Sequence, residues 1–148
     1  MKKTLVVSLV AALVGAVLIL GPSAFGQSPG YRVIVNSSNP ADQISKDLLS
    51  SYLLKKKSRW DHGITVEPAD LDSQSQTRVA LSEDVHGRSV ASIKNYWQRQ
   101  IFSGRNVPPP EVSSDSEMVA FVSSNPGGIG YVSASASLSG VKSIRVVN

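Results

Sequence analysis

The stretch Asn125-Pro126-Gly127-Gly128-Ile129-Gly130-Tyr131-Val132 constrains this chain more than any other, because it fits a helix stop, a tight turn and a strand start into eight residues. An amphipathic run from Ser114 to Ser124 leads into it. Pro126 cannot continue that helix, Gly127 and Gly128 can take positive φ, and Ile129, Tyr131 and Val132 have strand-forming side chains. A helix and the strand that follows it are therefore joined by a minimal turn.

The segments before this junction alternate in type. Val33-Ile34-Val35 reads as a short buried strand, closed by the turn formers Asn36-Ser37-Ser38-Asn39-Pro40. Ser45 can cap a helix whose first turn takes Asp47 and whose apolar stripe is Leu48, Leu49, Tyr52 and Leu53. Trp60 and Gly63 mark a turn, and Ile64-Thr65-Val66 alternates into a second strand that ends at Pro68. The polar Leu71–Thr77 stretch supplies Ser and Thr caps for a helix that stops at His86-Gly87. Ser89 starts the next helix, with Val90, Ile93, Tyr96, Trp97 and Ile101 at the spacing of a buried face up to Gly104. Pro108-Pro109-Pro110 is a stiff connector, and Ser114 with Glu117 forms a capping box for the helix of Met118, Phe121 and Val122. Strands at Ile129–Val132 and Ile144–Val147 finish a chain whose mixed order predicts a two-layer or three-layer α/β sandwich.

Lys2 and Lys3 precede an apolar run from Leu5 to Leu20, then Gly21-Pro22 and small residues, which is the pattern of a secretory leader. Ala24 and Gly26 supply the small side chains of a cleavage site. Residues 1–26 are expected to form a signal peptide and residues 27–148 the mature domain. The run is shorter than the ~20 residues a comfortable membrane span requires, so no stable membrane anchor is expected after cleavage. The chain has no cysteine, which excludes a lipoprotein anchor and a disulfide framework. Loss of Lys2 and Lys3 takes the 15 basic residues to 13 against 11 acidic, a net charge of +2 that gives no footing for nucleic acid. The run Lys55-Lys56-Lys57 with Arg59 is read as a solvated helix end.

Enzymatic chemistry finds little support. The two histidines, His62 and His86, each sit near a glycine and read as surface turn residues. Without cysteine, H-E-x-x-H or G-x-S-x-G, neither has partners for a metal site or an activated nucleophile. Asp70 and Asp72 lack a plausible partner acid, so no carboxylate pair for acid–base work is expected. Neither a cofactor nor a metal is expected.

Several motifs together resemble one family. The string Asn125 to Val132 is similar to the Asn-Pro-Gly-(Ala/Gly)-Ile-Gly-Tyr-Val segment of the phosphate-binding-protein-like family, the periplasmic solute receptors of phosphate ABC transporters. Tyr96-Trp97-Gln98, Ile101-Phe102-Ser103-Gly104-Arg105 and the Trp60-Asp61-His62-Gly63 turn resemble further parts of that family, above all its short one-lobe members. The resemblance implies a single-lobe periplasmic-binding-protein-like (type II) α/β sandwich with a small mixed sheet. It also implies phosphate or a similar oxyanion as ligand, a membrane transporter as partner, and a periplasmic location.

By the same resemblance the oxyanion loop falls on Ser75, Gln76 and Thr77, where the family has Ser-Gly-Thr, and Leu71 occupies the place of the family's arginine. Arg78 is adjacent, placed either to compensate for that loss or to face solvent. A helix N-terminus welcomes an anion through its unpaired N–H groups. Ser75 and Thr77 therefore either help hold an oxyanion weakly or simply cap a helix. Two functions follow: a solute-binding-like protein that takes an oxyanion, alone or with a second lobe, and an interaction module that kept the receptor fold but lost the ligand.

Overall fold

The computed structural model describes residues 29–148, so the expected leader at residues 1–26 lies outside the described residues. A five-stranded mixed sheet forms the centre. Its middle strand, β1 (Tyr31–Asn36), lies antiparallel to both β6 (Gly128–Ser133) and β7 (Val141–Val147), with Val33 opposite Tyr131 on one side and Ile144 on the other. Two short edge strands run parallel to their neighbours: β2 (Gln43–Ser45) beside β7 and β3 (Glu67–Pro68) beside β6. Pro68 fits this edge because the inward amide donors come from Glu67 to the Gly127 carbonyl and from Ala69 to the Ile129 carbonyl, one on each side of it.

Both faces of the sheet are covered, which makes a three-layer sandwich. Val33, Ile34 and Val35 are at most 1% exposed although they alternate between faces. On the Ile34 face lies α4 (Asp115–Ser124), whose Met118 and Val122 are fully buried and whose last carbonyls, Val122 and Ser123, accept from the Asn36 side-chain amide. The Tyr131 face meets α1 (Lys46–Leu53) and α2 (Gln76–Leu81), which share one core with the sheet through Leu49, Tyr52, Leu53 and Leu81. A π turn, Ser82–His86, extends α2 to Gly87. A smaller parallel pair, β4 (Asp70–Leu71) with β5 (Glu111–Val112), sits beside α2.

The fourth helix, α3 (Val90–Phe102), stands apart from the main core. It packs through Ile93 and Trp97 on Leu54 at the end of α1, with Tyr96 alongside. The expected buried face stops at Trp97: Ile101 is 51% exposed and lies outside the small cluster of Leu54, Ile93, Trp97 and Tyr96.

The cap residues hold where serine spacing placed them. Ser45, Ser75, Ser89 and Ser114 each accept from the N–H three residues on. Glu117 completes its box one residue further out than expected, accepting from the Ser113 N–H at 2.7 Å and not from Ser114.

Two local expectations need correction. Ile64-Thr65-Val66 is not a sheet strand, because its backbone turns back on the Trp60 loop: Trp60 N–H donates to the Ile64 carbonyl and Val66 N–H to the Ser58 carbonyl. The sheet therefore begins only at Glu67. Gly127 and Gly128 do not take positive φ. They are required for closeness instead, since a Cβ on Gly127 would run into the Thr65 carbonyl, and one on Gly130 would run into the Met118 sulfur where α4 lies flat on β6. The Trp60 indole N–H, donating to the Gly127 carbonyl at 3.1 Å, ties the two motifs together.

Candidate functional site

The loop singled out in the sequence joins β4 to α2. Asp72 organises it: the Asp72 side chain accepts from the Gln74 N–H at 2.8 Å and its carbonyl from the Ser75 N–H at 2.9 Å. That turn delivers Ser75 to the N-cap, where its hydroxyl accepts from the Arg78 N–H at 3.3 Å. Gln76 is exposed and Thr77 half-buried, and as the first two residues of α2 they leave their backbone N–H groups without helix partners.

Arg78 turns inward and is 3% exposed. One guanidinium nitrogen lies 3.1 Å from the Asp70 carboxylate, and the other donates to Glu111 at 2.7 Å and to the Leu71 carbonyl at 2.6 Å. The Tyr131 hydroxyl donates to the other Asp70 oxygen and accepts from the Leu71 N–H at 3.3 Å. Four elements, β4, α2, β5 and β6, thus converge on one guanidinium. Leu71 itself is 3% exposed in the main core.

The electrostatics follow from this burial. Burial pushes the Asp70 carboxyl above the ordinary carboxylate range, while Arg78 and the Tyr131 hydroxyl pull it back. Burial also opposes the charge on Arg78, but Asp70 and Glu111 outweigh it and hold the guanidinium protonated. The Tyr131 hydroxyl is pushed far up by burial and by the neighbouring carboxylate. It stays a proton donor. Reasoning from sequence missed Asp70, Glu111 and Tyr131; the one available signal was a tyrosine in a buried strand, whose hydroxyl must find a partner.

The histidines are positioned differently from each other. His62 is exposed and stacks on Trp60 at a centroid distance of 5.9 Å. His86 is not a surface turn residue: it is half-buried in the π turn, with Nδ1 2.8 Å from the Ser50 hydroxyl, because the π turn rolls it toward α1. Burial, then the nearby cations, pull its pKa down to about 4. Among the described residues no group of His, Asp and Glu could hold a metal ion, and no helix is long and apolar enough to cross a membrane. A cleft of about 420 Å³ lies away from this loop, between Ile44, Leu48, Trp60 and His62. Its lining includes neither lysine nor arginine to attract an oxyanion.

No family model matches the chain, and no curated protein matches it. Solved structures do match. An ABC-type phosphate transport receptor from Vibrio cholerae aligns with a TM-score of 0.60 and 20% identity over 79% of this chain and 46% of that one. A protein from Clostridium perfringens, described as a putative phosphate ABC transporter substrate-binding protein with bound phosphate, aligns with a TM-score of 0.63 and 19% identity over 79% and 44%. A possible phosphate binding protein from Planctomyces limnophilus gives 0.58 and 18% over 80% and 42%. The fold is that of a single lobe of such substrate-binding proteins, and the chain spans less than half of their length.

Proposed function

We propose that this chain is an exported, periplasmic and non-enzymatic lobe of the phosphate-receptor fold, which works by presenting that fold to a partner, either a second lobe or a transporter. It does not itself capture a free oxyanion. The observation that carries this reading is the state of Arg78: the one cation of the 75–78 loop is buried and neutralised by Asp70 and Glu111. An anion reaching the loop meets a guanidinium already engaged and two carboxylates around it. A charge-assisted bond worth ~1.5–3 kcal/mol is thereby withdrawn from any ligand.

The weak-binding reading rests on the Thr77 hydroxyl and the outward N–H groups of Gln76 and Thr77. Such donors alone suit an affinity in the millimolar range, equivalent to ~4 kcal/mol. Calorimetric titration with phosphate separates the two. The proposal expects no saturable heat up to ~10 mM phosphate. Saturable millimolar binding that disappears when Ser75→Ala and Thr77→Ala are combined would overturn it and assign the ligand to this loop.

A further inference from the structure

Between Asp84 and Glu111 the chain contains no carboxylate, yet Arg88, Lys94, Arg99 and Arg105 all fall within that stretch. These residues lie on or beside α3, are exposed, and make no ion pair among the described residues. Arg88 and Arg99 line one open cleft with Ser92 and Asn95. The end of α1 adds to the same surface. Tyr96 donates to the Leu54 carbonyl at 3.2 Å, Asn106 donates to the Lys55 carbonyl at 3.4 Å, and the Lys56 ammonium lies 5.8 Å from the Tyr96 ring centroid. The two carboxylates that bound this stretch are engaged elsewhere, Asp84 by Lys46 and Glu111 by Arg78.

This cationic flank leads to an apolar tip. At the C-terminal end of α3 the chain reverses through Gly104, fixed by bonds from the Gly104 N–H to the Ile101 carbonyl and from the Arg105 N–H to the Gln100 carbonyl, each 3.0 Å. The reversal holds Phe102 at 90%, Val107 at 59% and Ile101 at 51% exposure. Phe102 covers almost nothing in this fold. It stands between Arg99 and Arg105, both exposed.

We propose that the α3 tip and its basic flank dock peripherally on an anionic phospholipid surface, with Phe102, Ile101 and Val107 entering the acyl boundary and the surrounding cations meeting headgroup phosphates. A few apolar side chains projecting from unpaired cations match the layering of a bilayer interface. A protein acceptor of standard size would engage ~20–30 residues on each side, far more than this tip offers. The contact is reversible and needs no anchor. The inference does not depend on whether residues 75–78 hold an anion.

The chain lacks cysteine, so Ser103→Cys gives a unique attachment point for an environment-sensitive fluorophore such as NBD on the otherwise unaltered chain. The label reports on this tip alone, whatever other segment touches lipid. Vesicles of phosphatidylglycerol mixed with phosphatidylcholine should brighten the emission and shift it to the blue. Phosphatidylcholine alone and inorganic phosphate should leave it unchanged. Arg99→Gln with Arg105→Gln should weaken vesicle binding about 30-fold, from ~1 kcal/mol per cation. Phe102→Ser should abolish the blue shift. Lys142→Gln, at an existing ion pair with Asp42, should change nothing. An unresponsive label on the mixed vesicles overturns the proposal and leaves the surface to an acidic protein; an equal response on neutral vesicles, or from the charge variants, also overturns it.

Discussion

Arg78→Met keeps most of the aliphatic volume of the side chain and deletes the guanidinium, which strands Asp70 beside the Tyr131 hydroxyl at 8% exposure. Breaking a buried ion pair from one side costs ~3–5 kcal/mol. The cost has a ceiling, because Asp70 can escape by taking up a proton. From an unfolded value of 3.8, that escape costs about 4 kcal/mol at pH 7. Burial raises the Asp70 pKa and Arg78 opposes the rise, so removing Arg78 leaves the carboxyl further up than in the parent. A carboxyl raised in the folded state stabilises below its unfolded pKa and loses that contribution as pH rises. The stability gap between variant and parent therefore widens with pH, by up to ~1.4 kcal/mol per unit. Urea denaturation followed by tryptophan fluorescence at about pH 5 and about pH 8 measures it. Adding Asp70→Asn should recover most of the loss, since no unpaired charge stays buried. A single-variant cost below ~1 kcal/mol, or a gap that narrows as pH rises, would refute the account of Arg78 as a structural cation.

Gly130→Ala should cost ~1–3 kcal/mol by forcing α4 off the sheet at Met118, read as a lowered urea midpoint with an unchanged slope. Trp97→Ala should cost ~3–5 kcal/mol, and because α3 rests on the small cluster of Leu54, Ile93 and Trp97, amide exchange in α3 should accelerate before exchange in β6. His86, depressed by burial to about 4 from 6.5, leaves stability whole above about pH 6.5 and removes ~2–3 kcal/mol as pH falls toward about 4, a dependence that His86→Gln should flatten. Ser114→Ala should cost ~1 kcal/mol by thermal melting, the worth of one helix cap.

The parts of the fold legible in the sequence are those decided within a few residues. A serine before an apolar stripe fixes a helix start, and all four helices begin at such a serine. The strands Val33–Val35 and Ile129–Val132 lie within β1 and β6 because runs buried on both faces have few other uses, and Ile144–Val147 lies within β7, where its β-branched residues suit a strand that is only partly buried. Ile64–Val66 misled because alternation reports only that a segment is extended. Whether it pairs with the sheet or with its own turn depends on where Trp60 anchors, and that anchor, the Gly127 carbonyl, is 67 residues away. Likewise the glycines of the Asn125 to Val132 string announced a tight passage correctly, but backbone freedom and close approach leave the same mark in a sequence. Only the position of α4 and Thr65 distinguishes them.

The candidate loop shows the same limit more sharply. Ser75, Gln76 and Thr77 are singled out by resemblance to the family's Ser-Gly-Thr loop, and they lie at the head of α2 with Ser75 as its cap. The partners of Arg78 are not local: Glu111 is 33 residues on, and Tyr131 reaches Asp70 across 61. Neither separation leaves a trace in propensity or spacing. Leu71, which the resemblance places where the family has an arginine, is understood only through those contacts. With leucine there, the strand end is free to sink into the core, and the cation enters from the opposite side, from α2, to meet the Leu71 carbonyl at 2.6 Å. The positive charge near the end of β4 is thus directed inward, at Asp70 and Glu111. The guanidinium therefore acts as a staple of the interior, joining α2 to β4 and β5.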